Sequence, residues 1–163
     1  MLRNVTEGYG RLQRRWRKPA YESLKFYQDI CEIRRFIHKI TEPFAKTNLR
    51  LVSQMRDASR SAKQNIREGY RKGSLGEFLH SIKISQGSLE ELSGDVEDCF
   101  EDCLITKEEF DKFAKLYHSA SYLSNQYLKA MYKVENAGTW KVPGDRLRIK
   151  KQLKGTSRNI KKP

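Results

Sequence analysis

The chain has 163 residues, of which 37% are hydrophobic and 33% are charged. This length and apolar fraction allow one domain with a buried core and exclude a wholly disordered chain. The formal net charge is +13, and such a basic balance favours a polyanionic partner, most often nucleic acid.

Most of the positive charge lies in two terminal arms. Residues 1–19 carry six Lys or Arg against one acid, and residues 135–163 carry nine against two. The intervening residues 20–134 carry 18 against 17. We therefore expect a nearly neutral body with two basic arms.

No segment is predicted to span a membrane. The longest stretch without a charged residue, Leu116 to Leu128, contains Ser, Asn, Gln and His. The first ten residues contain no apolar segment that could serve as a signal peptide. Three cysteines without paired spacing are typical of a reducing compartment, so we expect a cytoplasmic protein.

Apolar residues at helical spacing predict the first two helices. The first should begin after Pro19 and end near Thr41, ahead of Pro43. Its stripe consists of Phe26, Ile30, Ile33, Ile37 and Ile40. The second should run from about Asn48 to Gly69 or just beyond, with Gly73 as its stop. Its stripe consists of Leu51, Met55, Ala58, Ala62 and Ile66.

Two capping boxes predict where the third and fourth helices begin. Ser74 with Glu77 precedes the third helix, and Thr106 with Glu109 precedes the fourth. The third stripe comprises Leu75, Phe78, Ile82, Ser85, Leu89, Leu92, Val96, Cys99 and Cys103. The fourth stripe comprises Phe110, Phe113, Tyr117, Ala120, Ser124, Tyr127, Met131 and Val134, and that helix should end near residues 136–138.

These patterns predict an all-α protein. Four helices with short connections favour an antiparallel up-down four-helix bundle over residues 20–137. The N-terminal arm (1–19) and the C-terminal tail (138–163) are expected to be basic and largely irregular. Gly87 and Ser88 are expected to let the third helix approach Ala58 and Ala62 closely, and the cysteines are interpreted as buried and structural.

The region from Leu51 to Leu92 resembles a known family. It reads LVSQMRDASRSAKQNIREGYRKGS followed by GEFLHSIKISQGSLEEL. It is similar to the bacterial four-helix-bundle 23S rRNA intervening-sequence proteins and to the related accessory proteins of diversity-generating retroelements. The matching positions are Leu51, Gln54, Arg56, Ala58, Asn65, Ile66, Glu68, Gly69, Arg71, Glu77, Phe78, Ile84, Gly87, Ser88, Glu91 and Leu92. Asp57, Ala62, Arg67 and Gln86 depart from the pattern. The resemblance implies a toroidal homopentamer without enzymatic activity, and RNA or a reverse transcriptase as partner.

One face of the second helix is a candidate phosphate-binding surface. Its basic residues are Arg56, Arg60, Lys63, Arg67, Arg71 and Lys72. The alternative is a solvated face or pairing with acids. The third helix offers seven acids between Glu90 and Asp102, and these could pair with the second helix within a subunit or between subunits.

The two arms are the other candidate RNA-binding regions. In the N-terminal arm the candidates are Arg11, Arg14, Arg15, Trp16, Arg17 and Lys18, where the tryptophan could stack on an unpaired base. The alternative is a solvated start with an incidental tryptophan. In the C-terminal tail they are Trp140, Arg146, Arg148, Lys150, Lys151 and Lys154. The apolar residues of this tail have no expected place in the bundle, which favours folding on a partner. The alternative is that it packs back onto the bundle.

Motifs for catalysis are weak. Glu77 and His80 form a single Glu-x-x-His, whereas di-iron bundles need two. The spacing of His38 and His80 from the preceding arginines does not match a helical-bundle nuclease, and no phosphate-binding loop is present. We expect no catalytic residue, metal or cofactor. The predicted function is a non-enzymatic RNA-binding scaffold, and the alternative is a protein-binding adaptor whose basic arms dock on an acidic partner.

Overall fold

Four α-helices and no β-strand make up residues 18–141, the part of the chain described by the structure, which is a computed structural model. The helices are α1 (Lys25–Thr41), α2 (Leu49–Lys72), α3 (Leu75–Glu101) and α4 (Lys107–Asn136). Short 3-10 turns at Ala20–Ser23 and Glu42–Phe44 flank α1. The predicted all-α four-helix bundle is confirmed. None of the described helices combines the length and apolar character needed to cross a membrane.

The helix ends follow the local sequence signals. Thr106 and Glu109 form a complete capping box at the start of α4. The capping box at the start of α3 is only half formed. The Ser74 hydroxyl oxygen accepts the Glu77 backbone N–H over 3.2 Å. The Glu77 carboxylate, however, accepts a hydrogen bond from the Ser74 hydroxyl and not from the Ser74 backbone N–H. Gly73 ends α2 at φ 92°, a left-handed conformation that glycine adopts without a steric penalty. The helix α1 begins at Lys25 because residues 20–23 form the 3-10 turn.

The predicted apolar stripes form the core. All five stripe residues of α1 are buried, as are those of α2 apart from half-buried Leu51. On α3 every stripe residue from Leu75 to Cys99 is buried. On α4 the fully buried members of the stripe are Phe113, Ala120 and Ser124. The heptad spacing therefore identifies the face that each helix turns inward.

Two cysteines are less buried than predicted. Cys103 lies beyond the end of α3, where its φ is 56°, and it is exposed. The stripe thus ends one turn early, at Cys99. Cys31 is half-buried, so only Cys99 has the buried environment expected of a structural cysteine. Burial, reinforced by nearby acidic residues, raises the pKa of the Cys99 thiol to about 11, which keeps it protonated at neutral pH.

A close approach of α2 and α3 occurs at Gly69 and not at Gly87. A Cβ on Gly69 would lie 1.9 Å from the Ser81 hydroxyl oxygen, so no larger side chain fits without a shift. Gly87 is exposed and has nothing within 4 Å of such a Cβ, so the expectation that it packs against α2 is wrong. Ser88 does approach α2, because its hydroxyl oxygen lies 3.1 Å from that of Ser61, and the Ser85 hydroxyl nearby donates to the Ala62 carbonyl over 2.7 Å.

The contacts between α2 and α3 run in opposite order along the two helices. The Gln54 amide donates to Asp95 over 3.1 Å, and the Ser61 and Ser88 hydroxyl oxygens lie 3.1 Å apart. Gly69 then meets Ser81. This order supports the antiparallel up-down arrangement, which for the whole bundle stays a prediction.

An aromatic cluster closes the end of the bundle where α4 ends. Tyr21 lies 4.9 Å from both Tyr27 and Tyr70, measured between ring centroids. Trp140 is half-buried, packs against the core and lines a cavity of about 90 Å³ beside Tyr21. The expectation that Trp140 has no place in the bundle is therefore wrong, because this cluster accommodates its ring. The structure thus extends the packed part of the chain past residue 137.

Candidate nucleic-acid interface

The α2 basic face consists of Arg60, Lys63, Arg67, Arg71 and Lys72. The four residues other than half-buried Lys63 are exposed. At a rise of about 1.5 Å per residue, the face extends about 18 Å along the helix. Side chains at this spacing form one continuous positive surface, which can follow a line of backbone phosphates.

These basic residues are not neutralised by the acids of α3. In residues 18–141 the ion pairs are Lys25–Asp29, Arg56–Glu42 and Lys107–Asp111. None joins α2 to α3, so the alternative that the α3 acids pair with α2 within the subunit is wrong for the described residues, although Arg56 does pair with Glu42. Pairing between subunits stays open. The α2 basic face retains its charge for an external anion.

Arg56 belongs to the predicted basic set but has a different role. Its guanidinium donates to the Thr41 hydroxyl over 3.0 Å and to the Glu42 carboxylate over 2.8 Å. It also lies 3.5 Å from the His38 carbonyl near the end of α1. A cation at a helix C-terminus interacts favourably with the exposed carbonyls and the helix dipole. Arg56 therefore ties α2 to α1.

The acidic surface of α3 lies mostly in solvent. Glu97, Asp98, Glu101 and Asp102 are exposed. Asp95 differs because it is only 8% exposed, and its Oδ2 has no hydrogen-bond partner. Burial raises the pKa of Asp95, and the neighbouring acids, Glu91 foremost, add to this shift. Asp95 therefore stays protonated to a higher pH than an exposed aspartate does.

A groove along α2, bordered over part of its length by the start of α3, was not found from the sequence. It consists of two adjoining depressions of about 280 and 240 Å³ that share Asn65 and Glu68. Gly69 and Glu77 also line it, and all four residues belong to the set that carries the family resemblance. The polar members Asn65, Glu68 and Glu77 are the sequence signal that could have identified it, since Gly69 is buried. The groove offers hydrogen-bond donors and acceptors next to the α2 basic face.

Of the remaining predicted site residues, Lys18 and Trp140 lie within the described range. Lys18 is exposed at the start of the described range, far along the chain from α2. Trp140 lies in the aromatic cluster. The other arm residues fall outside residues 18–141: Arg11, Arg14, Arg15, Trp16, Arg17, Arg146, Arg148, Lys150, Lys151 and Lys154. The structure therefore brings together the α2 residues and leaves the arm predictions as predictions.

The motif considered for metal binding lies at the groove. Glu77 and His80 both line it, and the Glu77 carboxylate accepts from Ser74 over 3.0 Å. Over the described range, no cluster of three or more His, Cys, Asp or Glu side chains is arranged to hold a metal ion.

Comparison with known proteins identifies the family. A family model described as 23S rRNA-intervening sequence protein matches residues 22–126, which include α1, α2, α3 and most of α4. A search of curated proteins finds no match. Since the family model covers well over half of the 163 residues, the chain belongs to the 23S rRNA-intervening sequence protein family.

Proposed function

We propose that this protein is a non-enzymatic scaffold that binds structured RNA. The single observation that carries the proposal is the α2 basic face, whose cations other than half-buried Lys63 are exposed, and none of which takes part in an ion pair among the described residues. Phosphate contacts from such a face release counterions and supply affinity that does not depend on base sequence. Family membership agrees with an RNA context.

The proposal includes the cellular setting. In the retroelement setting, the protein is an accessory subunit that holds a reverse transcriptase together with its template RNA. In the intervening-sequence setting, it is encoded within a ribosomal RNA insertion. We favour the retroelement setting because the two basic arms add cationic surface for an RNA–protein complex.

Charge removal on α2 tests the proposal. We compare the full chain with the triple variant Arg60→Gln, Arg67→Gln, Arg71→Gln for binding to a blunt RNA duplex over a range of salt concentrations. If each arginine contacts one phosphate, the slope of log K against log salt should fall by roughly 2 to 3, at about 0.7 to 0.9 per contact.

A second triple variant serves as the matched control. Arg35→Gln, Lys39→Gln, Lys46→Gln removes the same charge from exposed positions outside α2. It should leave the slope close to that of the unmodified chain. Equal slopes for all three proteins would exclude the α2 basic face as the RNA site. A full chain that binds no duplex at moderate salt would instead favour the protein-binding adaptor.

A further inference from the structure

The outward face of α4 carries a second positive surface with an aromatic ring at its centre. Its residues follow steps of 3, 4, 4, 3 and 4, so they share one side of the helix. We call this set the α4 outer face: Lys115, His118, Tyr122, Gln126, Lys129 and Lys133. All six are exposed. The face is separate from the α2 basic face, which lies on a different helix.

The formal charges on this face are all positive. The sequence between Asp111 and Glu135 contains no acidic residue and four lysines. Lys115, Lys129 and Lys133 take part in none of the ion pairs formed within residues 18–141. An uncompensated row of lysines attracts a polyanion.

The ring of Tyr122 is unusually open. Its exposed fraction is 63%, whereas the other exposed aromatic of the described chain, Phe100, is 37% exposed and stacks on Phe110 at 4.7 Å. Tyr122 belongs to no ring pair among the residues of the described range. Its flat surface is therefore accessible to a ligand.

The spacing places lysines on both sides of this ring. Lys115 precedes Tyr122 by seven residues, and Lys129 follows it by seven. Each lysine therefore lies about 10 Å from the tyrosine along the helix axis. Long lysine side chains at this distance can reach the backbone phosphates on either side of a base that stacks on the ring.

From this arrangement we propose that the α4 outer face binds a single-stranded segment of RNA. A base stacks on the Tyr122 ring, and Lys115 and Lys129 contact the flanking phosphates. Bases inside an A-form duplex are already stacked and paired, so an open tyrosine ring selects unpaired nucleotides. The inference rests on the proposed RNA-binding function but assigns it a second face with a different specificity.

Replacing the ring tests the stacking contact. The full chain and Tyr122→Ala are titrated with a short labelled oligouridine and with a blunt RNA duplex. The substitution should weaken oligouridine binding by about five- to a hundredfold and leave duplex binding unchanged. Tyr122→Phe, which keeps the aromatic surface, should bind oligouridine like the unmodified chain.

Two further variants keep the test selective. Leu49→Ala removes another exposed apolar side chain, which is 72% exposed, and should have no effect on either probe. The double variant Lys115→Gln, Lys129→Gln should lower the salt slope for oligouridine by about 1.4, or 0.7 for each lost contact. Circular dichroism verifies that every variant remains helical.

The two proposals fail in different ways. Equal oligouridine affinity for Tyr122→Ala and the unmodified chain, or an equal loss on both probes, would overturn the single-strand site. Absence of oligouridine binding to the unmodified chain would also overturn it. The α2 proposal fails separately if the triple arginine substitution leaves the salt slope for duplex RNA unchanged.

Discussion

Arg56 shows that a charged residue in a basic pattern can have a structural role. Its side chain is 27% exposed and contacts the Thr41 hydroxyl and the Glu42 carboxylate, whereas its neighbour Arg60 points into solvent. A sequence pattern cannot separate the two, because both fit the same helical face. The difference arises from the end of α1, which lies beside only one of them.

We predict that Arg56→Gln lowers the free energy of unfolding by about 1 kcal/mol. The hydrogen bond to Thr41 contributes most of this loss, since the exposed Glu42 partner contributes little. Urea unfolding measures the change. Arg60→Gln is the control and should stay within about 0.5 kcal/mol of the unmodified chain. Similar values for the two variants would contradict the assigned role of Arg56.

Asp95 provides a prediction of pH dependence. Its pKa is raised by burial, so the folded state holds this proton more tightly than the unfolded state does. Protonated Asp95 therefore stabilises the folded state. This stabilisation is fully present below the ordinary aspartate pKa of about 3.9, and it is lost as the pH rises through the raised pKa of Asp95 in the folded protein.

Asp95→Asn removes this titration while keeping an oxygen for the Gln54 amide. We therefore expect the unmodified chain to lose stability relative to Asp95→Asn as the pH increases from about 4 towards neutrality. Thermal unfolding of both proteins across this range measures the difference. Parallel stability curves would show that Asp95 does not titrate abnormally.

At the scale of helices, two glycines of the same bundle should respond oppositely to alanine. A Cβ at Gly69 would overlap the Ser81 side chain, whose Oγ and Cβ would lie at 1.9 and 2.2 Å, while a Cβ at Gly87 would meet only solvent. We predict that Gly69→Ala costs about 1 to 3 kcal/mol through overpacking. Gly87→Ala should stabilise the helix by up to about 1 kcal/mol.

Chemical unfolding of the two variants tests this pair, and each serves as the other's control. Both substitutions add one methyl group to a helix, so intrinsic propensity favours both. Only the tertiary contact distinguishes them. A neutral or stabilising Gly69→Ala would mean that α2 and α3 are not in such close contact at this level.

Periodicity and capping signals predicted the helices well because they depend on local sequence. The stripe of α1 and the Thr106 capping box are determined by residues within a few turns. The close glycine contact was predicted at Gly87, whereas the structure has it at Gly69. The sequence alone does not show which of the two glycines faces a neighbouring helix. Trp140 was mispredicted for a similar reason, because its aromatic pocket is assembled from distant parts of the chain.

The candidate site could be predicted only in part. The α2 basic face follows directly from charge spacing. The exposed Tyr122 could not be predicted, because the apolar stripe identifies only the buried side of α4 and an isolated surface aromatic carries no periodic signal.

At the scale of the whole molecule, the described bundle presents separate positive and negative helices. Within residues 18–141, no cation of the α2 basic face forms an ion pair with an exposed acid of α3. Heterologous contacts between subunits close into a ring when the rotation allows, and the RNA proposal requires that the α2 basic face lies outside these contacts. We propose a homopentamer, as the resemblance implies.

Native mass spectrometry of the full chain tests this assembly. We predict a dominant species with five times the 19.1 kDa subunit mass. The complex should dissociate as salt is increased if charge pairing between subunits contributes to the contact. A monomer, or a ring of another size, would contradict the pentamer. It would not contradict the RNA proposals, which rest on surfaces of one subunit.

The short connection between α2 and α3 has a consequence for how the chain folds. Only Gly73 and Ser74 separate the two helices. Closing such a short loop costs little chain entropy, so contacts such as those of Gly69 with Ser81 form between residues that are never far apart. A helical hairpin of this kind lowers the mean sequence separation of native contacts, which favours rapid folding. We therefore expect the α2–α3 hairpin to form early and to serve as a nucleus onto which α1 and α4 dock.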